Sequence, residues 1–146
     1  ISFPHRPASI TILIQKEVAE RIAQINGSSI LGLAVENYAT VELGDIVGPE
    51  WFTPPPQVDS QMIRLDVRPQ PLIVDTELER AFFRVIKAGF GAKRKKLRSS
   101  LAGGLALNKV DIERLLAEAD INPDWRAEDL NFEQFLRLTQ RYLANQ

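Results

Sequence analysis

The sequence predicts a mixed α/β first half followed by an all-helical second half. Ile63, Leu65 and Val67 alternate with Arg64, Asp66 and Arg68, the period-two signature of a strand. Val18, Ala19, Ile22 and Ile25 recur at helical spacing just after the apolar run 10–14, so a strand feeds a helix. Beyond the proline-rich stretch Arg68-Pro69-Gln70-Pro71, every apolar pattern has helical spacing, with caps and glycine stops between. The expected units are therefore 1–70 and 71–146.

Residues 1–9, with Pro4 and Pro7, read as a connecting loop. The run 10–14 is short and mostly apolar, like a strand buried in a parallel sheet. A helix over 15–25 follows, with Glu17 four residues before Arg21, and Asn26-Gly27-Ser28-Ser29 stops it. Residues 30–39 fit helix or strand; Leu31, Ala34, Val35 and Tyr38 share a stripe, which favours helix. Residues 40–47 read as a strand whose alternation slips at Gly44. Pro54, Pro55 and Pro56 fix φ and lack backbone donors, so the loop before the strand 58–68 is stiff and extended. In the second half, Thr76 and Glu79 have capping-box spacing and open a helix to about residue 88, broken by Gly89 and Gly91. A second helix is expected over 92–102, ended by Gly103-Gly104. Asn108 with Asp111 opens a third, and Asn131 with Gln134 a fourth. These strands are too few for a sheet covered on both faces, so further strands are expected on the N-terminal side.

The chain has 146 residues, 45% hydrophobic and 25% charged, ordinary for a globular protein. It has no cysteine, which excludes disulfides, thiolate metal sites and cysteine nucleophiles and fits a reducing, cytoplasmic setting. No apolar run reaches the length of a membrane span, and the pattern of a secretion signal is absent. The single histidine, His5, has no evident partner for a triad or a metal cluster.

Net charge of −1 and a pI of about 5.9 argue against a general polyanion binder. The distribution argues the other way. Arg84, Lys87, Lys93, Arg94, Lys95, Lys96 and Arg98 are uninterrupted by any acid, whereas acids dominate 111–133. Exposed charges are screened beyond roughly 10 Å, so a local patch acts independently of the total. Charge runs are commonly solvated surface. Without acids inside the segment to neutralise it, phosphate contact is the favoured reading, with Arg94 alternatively pairing with the acidic C-terminal stretch.

The segment Trp51-Phe52-Thr53-Pro54-Pro55-Pro56-Gln57-Val58-Asp59-Ser60 sets an aromatic pair before a proline brace. Aromatics beside turns commonly plug the end of a core. The alternative is a ring held at a sheet edge to stack on a planar ligand. Composition alone leaves both open. Gln15, Lys16 and Glu17, where strand meets helix, fit capping and packing better than catalysis.

Four segments together resemble the ribosomal RNA adenine N6-dimethyltransferase family, over nearly the whole chain. Leu13-Ile14-Gln15-Lys16-Glu17-Val18-Ala19-Glu20-Arg21-Ile22 is similar to the family's fifth strand and following helix. The stretch from Phe52 to Ser60 resembles its Phe-x-Pro-x-Pro-x-Val-x-Ser motif. Phe90-Gly91-Ala92-Lys93-Arg94-Lys95-Lys96-Leu97-Arg98-Ser99-Ser100-Leu101 resembles its basic helix. Ile121-Asn122-Pro123 with Arg126-Ala127-Glu128-Asp129-Leu130 resembles its C-terminal signature.

The resemblance implies the last three strands of a Rossmann-like methyltransferase sheet over 10–68, with 58–68 antiparallel between its neighbours, and then a small helical domain. It implies S-adenosyl-L-methionine as methyl donor and an extruded adenine of small-subunit rRNA as acceptor. By the same resemblance, Phe52, with Pro54 of its motif, lies against that base. Lys87, Lys93, Arg94, Lys95, Lys96 and Arg98 contact the RNA. The family's Gly-rich donor loop and Asn-Leu-Pro-Tyr motif do not occur in this sequence, and Gly89 and Gly91 fall between helices. The chain is thus expected to be the C-terminal part of an enzyme of ribosome biogenesis. It is expected to be inactive alone, monomeric and off the membrane, with small-subunit rRNA as its partner. The alternatives are a large-subunit rRNA methylase of the macrolide-resistance type and a non-catalytic RNA-binding or ribosome-assembly module.

Overall fold

Strand β1 (Ser9–Gln15) passes directly into helix α1 (Lys16–Ala23). Gln24 ends that helix in the left-handed region (φ 57°), slightly before the expected stop. Ser29 then starts α2 (Ile30–Tyr38): its hydroxyl oxygen accepts from the Gly32 N–H at 2.9 Å and donates to the Arg21 carbonyl at 2.9 Å, tying the two helices together. β2 (Ala39–Val47) and β3 (Ser60–Val67) complete the strand half. The computed structural model describes residues 6–92 and 94–146, so His5 and Lys93 lie outside the described residues.

β3 lies between β1 and β2 and pairs antiparallel with both, as expected for 58–68. Its register puts Ile63 opposite Ile12 and Leu43, an apolar row, while Arg64 stands opposite Thr11 and Glu42, a polar row on the other face. Ile63, Ala19 and Ile22 are buried where α1 packs against the sheet. Among the described residues β1 is an edge strand, with no parallel neighbour beside it. Its described partner is antiparallel, burial alternates along it, and Leu13 remains 42% exposed. The register of β2 slips between Leu43 and Ile46, as the sequence suggests at Gly44. A Cβ on Gly44 would sit 3.0 Å from Met62 Cβ, and the Gly44 carbonyl accepts from Gln61 Nε2 at 3.1 Å.

The second half contains α3 (Thr76–Phe90), α4 (Leu97–Leu105), α5 (Lys109–Glu118) and α6 (Phe132–Ala144). α5 and α6 begin as expected, with Asn108 accepting from the Asp111 N–H and a reciprocal Asn131–Gln134 box. Two helices depart from expectation. α3 is capped by Asp75, one residue before Thr76, because its carboxylate reaches both the Glu77 and Leu78 N–H groups. It also runs through Gly89, where a bare backbone sits under Phe135, Ala127 and Leu97.

α4 starts five residues later than the sequence suggests, so 92–96 is a connection rather than helix, and Gly103-Gly104 lie inside it. Gly104 is there for packing. A Cβ would fall 2.5 Å from Ala88 Cβ, so the glycine lets α4 close onto α3.

The main core belongs to these helices, with Phe82, Ile86, Leu97, Leu116, Phe135 and Leu138 fully enclosed. Leu33 from α2 and Ile73 from the connection join it. No described helix is long and apolar enough to cross a membrane.

Candidate functional site

The pairing register fixes where the proline loop emerges. Ser60, the first residue of β3, lies opposite both Gln15 and Val47, the last residues of β1 and β2. Residues 48–59 therefore sit outside the carboxyl ends of two strands, the edge where open α/β sheets bind ligands. Pro49–Trp51 form a 3₁₀ turn closed by Trp51 N–H to Gly48 O at 3.3 Å and Phe52 N–H to Pro49 O at 3.1 Å. Trp51 is 78% exposed. Phe52 is half-buried with extended backbone, so the loop does not seal it in a core. Pro54 and Pro55 are exposed, and Pro56 is half-buried.

The far end of the loop is anchored to α1, whose Lys16 N–H donates to the Asp59 carbonyl at 2.9 Å. Between them opens a cleft of about 370 Å³ lined by Gln15, Lys16, Glu17, Glu20, Pro49 and Gln57–Asp59. Phe52 and Pro54 do not line it. The Gln15 side chain makes no cap bond, contrary to the capping role its position suggests. Lys16 is steadied by Glu20 at 3.2 Å and borders the cleft.

The second charged region lies where α3 turns into α4. The segment holds no acid of its own, but two of its cations find partners further along the chain. Lys96 lies 3.4 Å from Asp124, and Arg98 pairs with Glu113 at 3.1 Å and with Asp124. The Lys96 ammonium hydrogen-bonded to Asp124 holds that carboxyl below the usual range, and the Arg98 charge adds to it. Among the described residues, no salt bridge engages Arg84, Lys87, Arg94 or Lys95, and all four are exposed. Arg94 thus lacks the acidic partner the sequence offers it; Lys96 and Arg98 take that role. A cleft of about 520 Å³ runs along the α3–α4 junction, bordered by Arg84, Lys87 and Lys95.

Polar contacts that the sequence hides set how the strand elements meet the helices. Ser28 donates from its backbone to Glu128 O and from its hydroxyl to Ala127 O, both at 3.0 Å. Buried Asn37 accepts the Ile73 N–H on its side-chain oxygen and the Leu72 N–H on its backbone carbonyl, each at 2.9 Å. Tyr38 donates to Glu79; burial first, and that carboxylate second, push the phenol above its ordinary pKa. Among the described residues no cluster of His, Asp and Glu is placed to hold a metal.

The family model for ribosomal RNA adenine dimethylase matches residues 1–144. A ribosomal RNA small subunit methyltransferase A from Dehalococcoides mccartyi is 39% identical over 141 residues, covering 96% of this chain and 48% of the relative. The chain thus spans about half the length of the curated relatives it matches. Among solved structures, a dimethyladenosine transferase from Plasmodium falciparum superposes with TM-score 0.73 at 21% identity, over 96% of this chain and 59% of that one. The 23S rRNA methyltransferase ErmE superposes with TM-score 0.68 at 23% identity, over 92% of this chain and 54% of that one. Both share the fold.

Proposed function

Because the chain belongs to the ribosomal RNA adenine dimethylase family, we propose that it is the C-terminal part of an S-adenosylmethionine-dependent enzyme that dimethylates adenine N6 in small-subunit rRNA. In this reading 1–70 completes a Rossmann-like methyltransferase sheet and 71–146 is a helical RNA-contacting domain. The observation that carries it is Phe52, partly open on a proline-braced loop outside the carboxyl ends of β1 and β2.

Phe52 is the platform on which the extruded adenine stacks. Pro54, two residues on, stiffens the backbone of the loop that carries the ring. Lys87, Arg94 and Lys95 face the RNA backbone. Lys96 and Arg98 hold the α3–α4 connection through Asp124 and Glu113.

This chain's own residues do not fit the methyl donor. β1 is followed at once by α1, with no Gly-rich turn, and Gly89 and Gly91 sit at the end of α3. Donor binding is therefore assigned to residues outside this chain, and the donor, when bound, supplies the methyl group.

A small-subunit target is favoured by the names of the sequence relatives, whereas the likeness to ErmE is one of fold. The test is Phe52→Ala in the protein that carries this chain, with methyl transfer to small-subunit rRNA as readout. Base–aromatic stacking is worth roughly 1–3 kcal/mol. Turnover should fall about 5- to 150-fold with the thermal midpoint retained. Unchanged turnover removes Phe52 from the site.

A further inference from the structure

Trp51 and Phe52 are neighbours in the chain but not in environment. Phe52 is half-buried, whereas Trp51 is 78% exposed. Tryptophan is highly buried on average, because its ring is large and mostly apolar. A ring left this open calls for a reason, and a loose backbone does not supply one. Pro49 opens the 3₁₀ turn, whose two backbone hydrogen bonds end at Trp51 and Phe52. Gly48 leaves room for the Glu50 carboxylate to lie back over the turn, and Pro54, Pro55 and Pro56 follow. Holding the indole out on a braced turn removes part of the ordering cost that binding carries.

The surroundings indicate what the ring would meet. Pro49, two residues earlier, borders the cleft of about 370 Å³ beside Gln15. Gln15, Gln57, Lys16 and Asp59 give that cleft donors and acceptors, and its described lining holds no aromatic ring. Groups suited to the polar edge of a base thus lie within one short turn of a ring suited to its face. An unpaired nucleotide uses both kinds of contact.

We propose that Trp51 stacks on the nucleotide beside the target adenine and holds it splayed while Phe52 takes the target. This rests on the rRNA reading above and adds a second base platform to it. The two rings differ so much in exposure that they serve two bases rather than the two faces of one. Successive bases of a single strand commonly stack on separate aromatic side chains. Every base has a π-face, so Trp51 senses that a neighbour is present and not which base it is. The indole touches no reacting atom, and Trp51 is therefore a positioning residue.

The probe is small-subunit rRNA, either intact or ligated with a single abasic residue on one side or the other of the target adenine. Methyl transfer by the protein that carries this chain is the readout. On intact RNA, Trp51→Ala should lower kcat/KM about 5- to 150-fold, mainly through KM, and Trp51→Phe should retain most of the parent value. On one of the two abasic RNAs, parent and Trp51→Ala should become equal, because the base that the indole needs is gone. If Trp51→Ala loses the same factor on every RNA, or lowers the thermal midpoint as a core truncation does, the ring serves the fold and the proposal is overturned. If Trp51→Ala matches the parent while Phe52→Ala is impaired, the second platform is wrong and the rRNA reading stands. If both variants match the parent, both fall.

Discussion

The helical half closes a core of its own; the strand half does not. Among the described residues, the largest fully enclosed side chains include Phe82, Phe135, Leu116 and Leu138 from the helices, but only Leu33 and Ile63 from before residue 70. Conversely, the strand half leaves Leu13, Ile25, Ile46, Trp51 and Val58 substantially exposed. The proline loop thus sits on the part with the thinner apolar support, and the basic cleft on the part with the thicker. Binding loops are commonly drawn from the less protected end of a structure, where rearrangement is inexpensive. Each half also uses a different means to fix its candidate contact. Proline and a short 3₁₀ turn constrain the ring, whereas the cations stand on and between helices held by an enclosed core, next to the ion-paired Lys96 and Arg98.

The sharpest test of that contrast is a matched pair of truncations. Phe135 is fully enclosed, so Phe135→Ala should lower unfolding free energy by about 3–5 kcal/mol in a denaturant titration. Leu13→Ala, at a position 42% open, should cost about 0.5 kcal/mol. Comparable losses would mean that the two halves are equally supported.

Next in size is the join between them. Asn37 is fully buried and is the side-chain acceptor of the Ile73 N–H. Asn37→Leu would strand that donor, at a cost of about 1–3 kcal/mol. If the halves are coupled through this residue, a probe in each should report the same shift in unfolding midpoint. A shift confined to one probe would show that the halves melt separately.

Much of this was legible in the sequence because the signals are local. Asn108 and Asn131 lie three residues from the N–H groups they cap, so spacing alone finds both helix starts. Ile63, Leu65 and Val67 announce β3 by alternation. Where local signals are degenerate, reading fails. Asp75 and Thr76 are adjacent and both suit a cap, and only geometry shows that the Asp75 carboxylate reaches two N–H groups. Gly103-Gly104 looks like a helix stop, but Gly104 answers to Ala88 on a different helix. Contacts far apart in sequence were invisible altogether. Asn37 serves a backbone group 36 residues away, and Asp124 folds back onto Lys96 and Arg98. That last pairing is why the basic segment looked freer than it is.

The smallest expected effects lie in pH, and they separate the surface of one half from the join of both. Asp124 ionises more readily in the folded chain than an ordinary carboxyl, chiefly through Lys96. The stability it lends is therefore present above the ordinary carboxylate range and disappears as pH falls through its lowered pKa. Tyr38 has the opposite sign. Its pKa is raised, so its contribution is complete below the ordinary phenol value near 10 and is lost as pH climbs through the raised one. Asp124→Asn should flatten only the acid limb of a stability–pH curve, and added salt should reduce the difference because that carboxylate is at the surface. Tyr38→Phe should flatten only the alkaline limb and respond little to salt, since burial is the leading cause there. If Asp124→Asn instead altered the alkaline limb, or Tyr38→Phe the acid one, the charge network at the start of α4 and the Tyr38–Glu79 join would have to be one coupled system.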